Sequence, residues 1–242
     1  MPWGAQTNKE EKTMKNTEII FVIDKSGSMS NLVDDTIGGF NSFLKRQQEI
    51  DGKATLTTIL FDSSWKILHD GVDIREVKPM TTSDYTAGGM TAMLDAIGEV
   101  INRVQDRHDK LGKERPDNVL FVITTDGEEN SSRKFNKTQI EKMIKHQTNG
   151  HGWEFTFLGA NMDAVKEAAD IGINCDRAVT YDYTEVGTKA VYDTISAMAC
   201  SVRCDALTED FNLTNAYDTS ISDIKTAVDT ASSKTYTDLT TK

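Results

Sequence analysis

The chain has 242 residues, enough for one large domain or for one domain with an appendage. Hydrophobic residues make up 38% and charged residues 27% of it, a composition typical of globular proteins. The formal net charge is −11 and no cluster of five or more Lys or Arg occurs, which argues against nucleic acid as a partner. No run approaches the ~20 apolar residues that a membrane-spanning helix needs, so no association with a membrane is expected.

The two ends of the chain differ in composition from the middle. Residues 1–16 contain no apolar segment like that of a secretory signal peptide, and we therefore expect a cytoplasmic protein with a flexible N-terminal extension over 1–16. Residues 17–205 are predicted to form the main domain. In the tail, 206–242, 13 of 37 residues are Ser or Thr. A weak pattern of Ile221, Ile224 and Val228 there indicates either a short surface helix with a frayed end or a segment that binds a partner.

The strongest structural signals are short continuous apolar runs, which are typical of parallel strands covered on both faces. Such runs lie at 19–23 and 119–123, with a looser one at 155–158. Residues 54–62 predict another strand, joined through 63–64 to residues 65–71 as a hairpin at the edge of the sheet. A sixth strand is predicted at 178–182.

Helical periodicity separates these runs. Two apolar stripes recur at helical spacing, one formed by Leu94, Ile97, Ile101 and Val104, and one by Val191, Ile195, Met198 and Val202. Weaker helices are predicted at 32–50, 140–145 and 164–171, and Gly38 and Gly39 in the first of these indicate close contact between helix and sheet. This alternation predicts a Rossmann-like α/β fold: a doubly wound, mostly parallel six-stranded sheet with one antiparallel edge strand and helices on both faces.

Oxygen-bearing side chains follow the predicted strands. Asp24, Ser26 and Ser28 come directly after the first apolar run, Asp126 follows the run at 119–123, and Thr91 lies in the Gly-rich loop before the best helix. Ligands bind at the carboxyl ends of the strands in such sheets, so these side chains are expected to meet at one edge. The set contains oxygen donors and no His or Cys, which favours a hard cation such as Mg²⁺ over Zn²⁺. Alternatively, Asp24 caps a helix that begins near Ser28.

The order Asp24-x-Ser26-x-Ser28, then Thr91, then Asp126 resembles the metal-ion-dependent adhesion site (MIDAS) of von Willebrand factor type A (vWA) domains. The resemblance extends from about Glu18 to about Cys204, and the segments FVIDKSGSM, DTIGGFN and ITTDGEEN are similar to stand-alone bacterial and phage members. One departure is GGMTAM, in which Met90 stands between the glycine pair and Thr91.

The resemblance implies roles for these residues. It implies that the Ser26 and Ser28 hydroxyls bind Mg²⁺ directly, that Thr91 binds it directly or through water, and that Asp24 and Asp126 act mostly through bound waters. Mn²⁺ or Ca²⁺ is possible in place of Mg²⁺. A Glu or Asp carboxylate from a protein partner is then expected to complete the coordination.

Three functions are compatible with such a site. The first is a binding module that recognises an acidic residue of a protein partner within a larger assembly, with Met29, Met90 and Glu128 as candidate partner contacts. The second is a structural subunit whose metal only stabilises the loops. The third is a Mg²⁺-dependent hydrolase, which the lack of a His or Cys and of a free base near the hydroxyls disfavours. We therefore predict that the protein is not an enzyme.

Overall fold

The computed structural model describes residues 14–240, with side chains through residue 226, and these residues form six strands and six α-helices. The strands are β1 (Thr17–Asp24), β2 (Ala54–Phe61), β3 (Trp65–Asp73), β4 (Asn118–Thr125), β5 (Trp153–Ala160) and β6 (Ala178–Tyr181). The α-helices are α1 (Val33–Gln48), α2 (Met93–Leu111), α3 (Lys137–His151), α4 (Ala164–Asp170), α5 (Glu185–Arg203) and α6 (Leu213–Thr240). Most of the predicted N-terminal extension and the side chain of Val228 lie outside this description.

The strands form one sheet in the order β3-β2-β1-β4-β5-β6. All neighbouring pairs are parallel except β2 and β3, which form the predicted antiparallel hairpin at the edge. The predicted fold class is therefore confirmed. The central strand β1 is buried along its whole length, as expected for a strand with helices on both faces.

Successive side chains of β1 point to opposite faces of the sheet and enter two separate cores. Ile19, Phe21 and Ile23 pack with α1, α5 and α6, whereas Ile20 and Val22 pack with α2, α3 and α4. Both helical stripes predicted from the sequence are buried in these cores. The predicted strands and helices thus occupy the expected layers.

The C-terminal helix α6 is 28 residues long, and its first turns belong to the core. Leu213 is fully buried and Tyr217 nearly so, and Ile221 and Ile224 pack partly buried against the same core. Of the helices in residues 14–240, none is long and apolar enough to cross a membrane.

The glycine pair in α1 corrects one expectation. A Cβ added to Gly39 would lie 2.1 Å from Cδ2 of Tyr192 on α5, so this glycine permits close contact between two helices and not between helix and sheet. A Cβ at Gly38 would meet no atom of the described residues within 4 Å, so this glycine is not explained by a close contact.

Candidate metal centre

The centre begins at Asp24, the last residue of β1, which is fully buried. Its Oδ1 accepts a hydrogen bond of 2.6 Å from the Ser26 backbone N–H, and its Oδ2 accepts one of 2.6 Å from Thr125 Oγ1. The Tyr85 hydroxyl donates to the Asp24 carbonyl oxygen at 2.5 Å. Side chain and backbone of Asp24 are therefore held in a single orientation.

Ser26 and Ser28 extend the centre from the end of β1 toward β4. A 3₁₀ turn over Gly27–Leu32 places the two hydroxyl oxygens 3.1 Å apart. The Ser28 hydroxyl donates to Asp126 Oδ1 at 2.6 Å. Asp126 is brought here because β4 pairs in parallel with β1, so that both strands end at the same edge.

Thr91 reaches the centre through a loop that is tied to both of the other loops. The Gly27 N–H donates to the Gly89 carbonyl at 3.0 Å, and Gly89 has φ of +81°, a conformation that favours glycine. The Thr91 N–H donates to Asn130 Oδ1 at 2.9 Å, and the Asn130 N–H donates back to the Thr91 carbonyl at 3.1 Å. Thr91 is 3% exposed and fixed between the loops that follow β1 and β4.

Gly127 leaves open the space between two of the hydroxyls. A Cβ added there would lie 3.6 Å from both Ser28 Oγ and Thr91 Oγ1. Around an octahedral Mg²⁺ with bonds of 2.0–2.1 Å, adjacent ligand oxygens lie about 3 Å apart, close to the 3.1 Å between the Ser26 and Ser28 oxygens. The residues present therefore fit a hard divalent cation. Residues 14–226 contain no group of three or more His, Cys, Asp and Glu side chains that could hold a metal by themselves, so the hydroxyls are essential to such a site.

The electrostatics of the centre also favour a cation. Burial raises the pKa of Asp24 to about 6 and raises the pKa of Asp126 above its ordinary value. Lys25, the basic residue next in sequence, forms an ion pair with Asp62 beyond the end of β2. Among the described residues, neither the buried carboxylate of Asp24 nor the half-buried carboxylate of Asp126 forms an ion pair with a basic side chain. A bound cation would favour the ionised forms of both.

The structure brings together all five residues predicted as metal ligands. Of the three predicted partner contacts, two are exposed and one is buried. Met90 is 53% exposed and Glu128 is exposed, so both are accessible on this face. Met29 is 1% exposed and packs in the core beside Leu32, which contradicts its prediction as a partner contact. The 3₁₀ turn after Ser26 directs this side chain inward.

Several supporting residues could not be identified from the sequence. Thr125 and Tyr85 hold Asp24 as described above. Glu129, which resembles a solvated loop residue in sequence, accepts hydrogen bonds from the backbone N–H groups of Leu94, at the start of α2, and of Ser131 and Ser132. The only sequence signal among these is the position of Thr125 directly before Asp126.

No model of a known protein family matches the chain, and no curated protein sequence matches it. Solved structures do match. A von Willebrand factor type A structure from Catenulispora acidiphila has a TM-score of 0.50 at 15% identity, covering 76% of this chain and 42% of the other. The von Willebrand domain of the type V pili tip protein Mfa5 from Porphyromonas gingivalis has a TM-score of 0.52 at 9% identity, covering 78% and 97%.

Manganese-loaded TRAP protein from Plasmodium vivax is similar as well, with a TM-score of 0.52 at 19% identity and coverage of 72% of each chain. Several of the matched structures are longer proteins, of which this chain spans about half the length. At these identities the similarity shows the fold alone. The chain has the fold of a vWA domain.

Proposed function

We propose that the protein is a metal-dependent interaction module that binds an acidic residue of a protein partner, as part of a larger assembly. The observation that carries this proposal is the convergence of Asp24, Ser26, Ser28, Thr91 and Asp126 at the carboxyl edge of the sheet, around the space that Gly127 leaves open. The similar structure of TRAP is manganese-loaded, which supports a divalent cation in a protein of this fold.

Mg²⁺ is the cation that best suits these ligands, and Mn²⁺ or Ca²⁺ could replace it. Ser26 and Ser28 would hold it directly, Thr91 directly or through water, and Asp24 and Asp126 through water. The bound ion would supply a positive charge that attracts a partner carboxylate. Because hydroxyls are neutral, they leave more of that charge uncompensated than direct carboxylate ligands would. Met90 and Glu128, both exposed on this face, would contact the partner beside its acidic residue.

We propose no catalytic role. A hydrolase would need a base free to activate water, but the Asp24 carboxylate is fully buried and accepts two hydrogen bonds, and Asp126 accepts one from Ser28. A cytoplasmic location remains a prediction from the sequence.

The proposal is tested in two steps. Mn²⁺ binding is first measured by electron paramagnetic resonance, and Mg²⁺ binding by competition against Mn²⁺, for the wild type, Ser28→Ala, Asp126→Ala and the control Asp109→Asn, whose side chain is exposed at the C-terminal end of α2. We expect binding to be lost in the first two variants and kept in the control. Equal Mn²⁺ affinity in all four proteins would contradict a metal at this centre.

The second step captures partners from a host extract in the presence of Mg²⁺ or EDTA, with Asp126→Ala as a control for metal-independent contacts. We expect a protein that is retained only by the wild type with Mg²⁺, and competed by a peptide that carries Glu or Asp. If Mg²⁺ binds and raises the melting temperature but every captured protein persists in EDTA, the metal stabilises the loops and the protein is a structural subunit instead.

A further inference from the structure

A second candidate site lies beside the metal centre, in a groove of about 260 Å³ between the N-terminal halves of α1 and α5. The groove exists because Gly38 and Gly39 of α1 carry no side chains there. The ring of Tyr192 from α5, 3% exposed, lies against Gly39, and the space above Gly38 is open. The groove is therefore a consequence of the sequence of α1.

The rim of this groove is acidic. Asp34 and Asp35 lie in the first turn of α1 and Glu185 in the first turn of α5. Among the side chains that the structure describes, Lys189 is the one basic group that lines the groove. Within residues 14–226, none of these four forms an ion pair, although Arg46 of α1 and Asp193 of α5 form one further along the same two helices. Acidic residues at helix N-termini are favoured by the helix dipole, which accounts for their positions but not for the groove.

A buried hydroxyl supplies an independent indication of a ligand. Thr188 of α5 lines the groove and is 4% exposed, and its Oγ1 has no hydrogen-bond partner among the described residues. Two other hydroxyls nearby are paired. Oγ1 of Thr184, the residue directly before α5, accepts from the Gly187 N–H at 3.0 Å, and Oγ1 of Thr194 within α5 donates to the Ala190 carbonyl at 2.8 Å. A buried polar group without a hydrogen-bond partner destabilises the fold, so a ligand that donates a hydrogen bond to Thr188 would remove this penalty.

We propose that this groove binds a lysine or arginine side chain of a protein partner. Three carboxylates and one ammonium group around it select a cation, and a hydroxyl oxygen can accept from an ammonium or guanidinium donor. The long apolar stem of such a side chain can pack on the Tyr192 ring and on the bare helix backbone at Gly38. The site does not rest on the proposed metal function, since none of its residues belongs to the metal centre.

The groove and the metal centre are nevertheless close to each other. The pKa of Tyr183 is raised mainly by burial, and further by the negative charges of Asp126 and Asp35. Tyr183 therefore lies near one carboxylate of the metal centre and one of the groove. The Tyr183 hydroxyl is also buried without a hydrogen-bond partner among the described residues. One partner surface could therefore present a basic side chain to the groove while it contacts the metal face.

The test is a nuclear magnetic resonance titration of the full chain with Nα-acetyl-lysine methylamide and with the arginine analogue, at low ionic strength and in both EDTA and Mg²⁺. The norleucine analogue, which lacks the charge, is the ligand control. We expect saturable shifts at the backbone amides of Gly38, Gly39, Thr188 and Lys189 with both cationic ligands, in EDTA as well as in Mg²⁺. Failure of metal binding would leave this result unchanged, so the two proposals fail separately.

Variants test the assignment within the groove. Asp35→Asn and Glu185→Gln should each weaken binding by up to about fivefold. The matched controls Glu49→Gln and Glu114→Gln, two exposed acidic residues outside the groove, should leave it unchanged. Thr188→Val, which keeps the shape and removes the hydroxyl, should weaken binding at least about tenfold while the stability to urea stays equal or rises. Gly38→Leu should block the groove.

Several outcomes would overturn the proposal. These are equal shifts with the norleucine analogue, shifts spread over all acidic surfaces, or affinities that none of the groove variants changes. Thr188→Val with lowered stability and normal binding would make the hydroxyl a structural group. Spermidine is titrated in parallel, and a far higher affinity for it than for Nα-acetyl-lysine methylamide would reassign the groove to a free polyamine.

Discussion

Two adjacent glycines of α1 should respond in opposite ways to the same substitution. Alanine is favoured over glycine within a helix by roughly 0.8–1.0 kcal/mol. Gly38→Ala should realise that gain, because a Cβ there meets no atom within 4 Å in the part of the chain that the structure describes. Gly39→Ala has the same propensity gain, but its Cβ would lie 2.1 Å from Cδ2 of Tyr192. That is at least about 1 Å inside ordinary van der Waals contact, and the ring cannot withdraw, since it is 3% exposed between α1 and α5.

The difference between the two variants isolates the cost of overpacking. Overpacking a core position typically costs about 1–3 kcal/mol, so we expect Gly39→Ala to be less stable than Gly38→Ala by that amount. If the cost lies near the upper end of this range, Gly39→Ala is also less stable than the wild type. Urea unfolding followed by circular dichroism measures this, with midpoints compared at equal m-values. If both variants shifted the midpoint upward by the same amount, the close contact between α1 and α5 at Gly39 would be refuted.

Three further predictions concern the core, the metal centre and the loop beside it. The buried carboxylate of Glu18 pairs with Arg107 and His108. Glu18→Ala should therefore lower the free energy of unfolding in urea by roughly 3–5 kcal/mol, because both basic side chains lose their partner. A decrease no larger than that for an exposed Glu would contradict this. Mg²⁺ should raise the melting temperature of the wild type but not of Asp126→Ala, and an equal rise in both would place the ion elsewhere. Burial opposes ionisation of Asp95, but three backbone N–H donors outweigh it and hold its pKa below the ordinary value. Wild type should therefore exceed Asp95→Asn in stability above about pH 4, and the difference should shrink as the pH falls below it; a difference constant down to pH 2 would contradict this.

The convergence of the five candidate ligands at one edge of the sheet can be predicted from the sequence, because it follows from a rule of topology. Apolar runs identify strands buried on both faces, and parallel strands end at one edge, so Asp24 and Asp126 were expected to meet across 102 residues of chain. Ser26 and Ser28 can be predicted to lie near Asp24, because they occupy alternate positions directly after the strand. The side chains of these residues lie where short-range pattern and sheet direction place them.

What could not be predicted depends on contacts between distant segments. Gly39 indicated a close approach, but its partner Tyr192 lies 153 residues away on a helix whose packing position has no local signal. Met29 was expected on the surface near the metal, yet the 3₁₀ turn directs it into the core. Glu129 looks like any loop carboxylate in sequence, and only the folded loop shows that it accepts from the first turn of α2. In each case the side-chain direction or contact depends on the folded arrangement of the chain, which the residue type alone does not determine.

The placement of Lys25 supports the proposal that the centre takes up a cation from outside the chain. An ammonium group directly after Asp24 could have neutralised the carboxylates of Asp24 and Asp126, but Lys25 instead pairs with Asp62 beyond β2. Asp24 is left with hydrogen bonds from uncharged donors, Ser26 and Thr125, which orient a carboxylate without cancelling its charge. Burial already disfavours the negative charge of Asp24. In the proposed function, a divalent ion at this edge of the sheet would compensate the charges of Asp24 and Asp126. Partner binding could then be controlled by whether the ion is present, because the same loops hold the ligand oxygens in place.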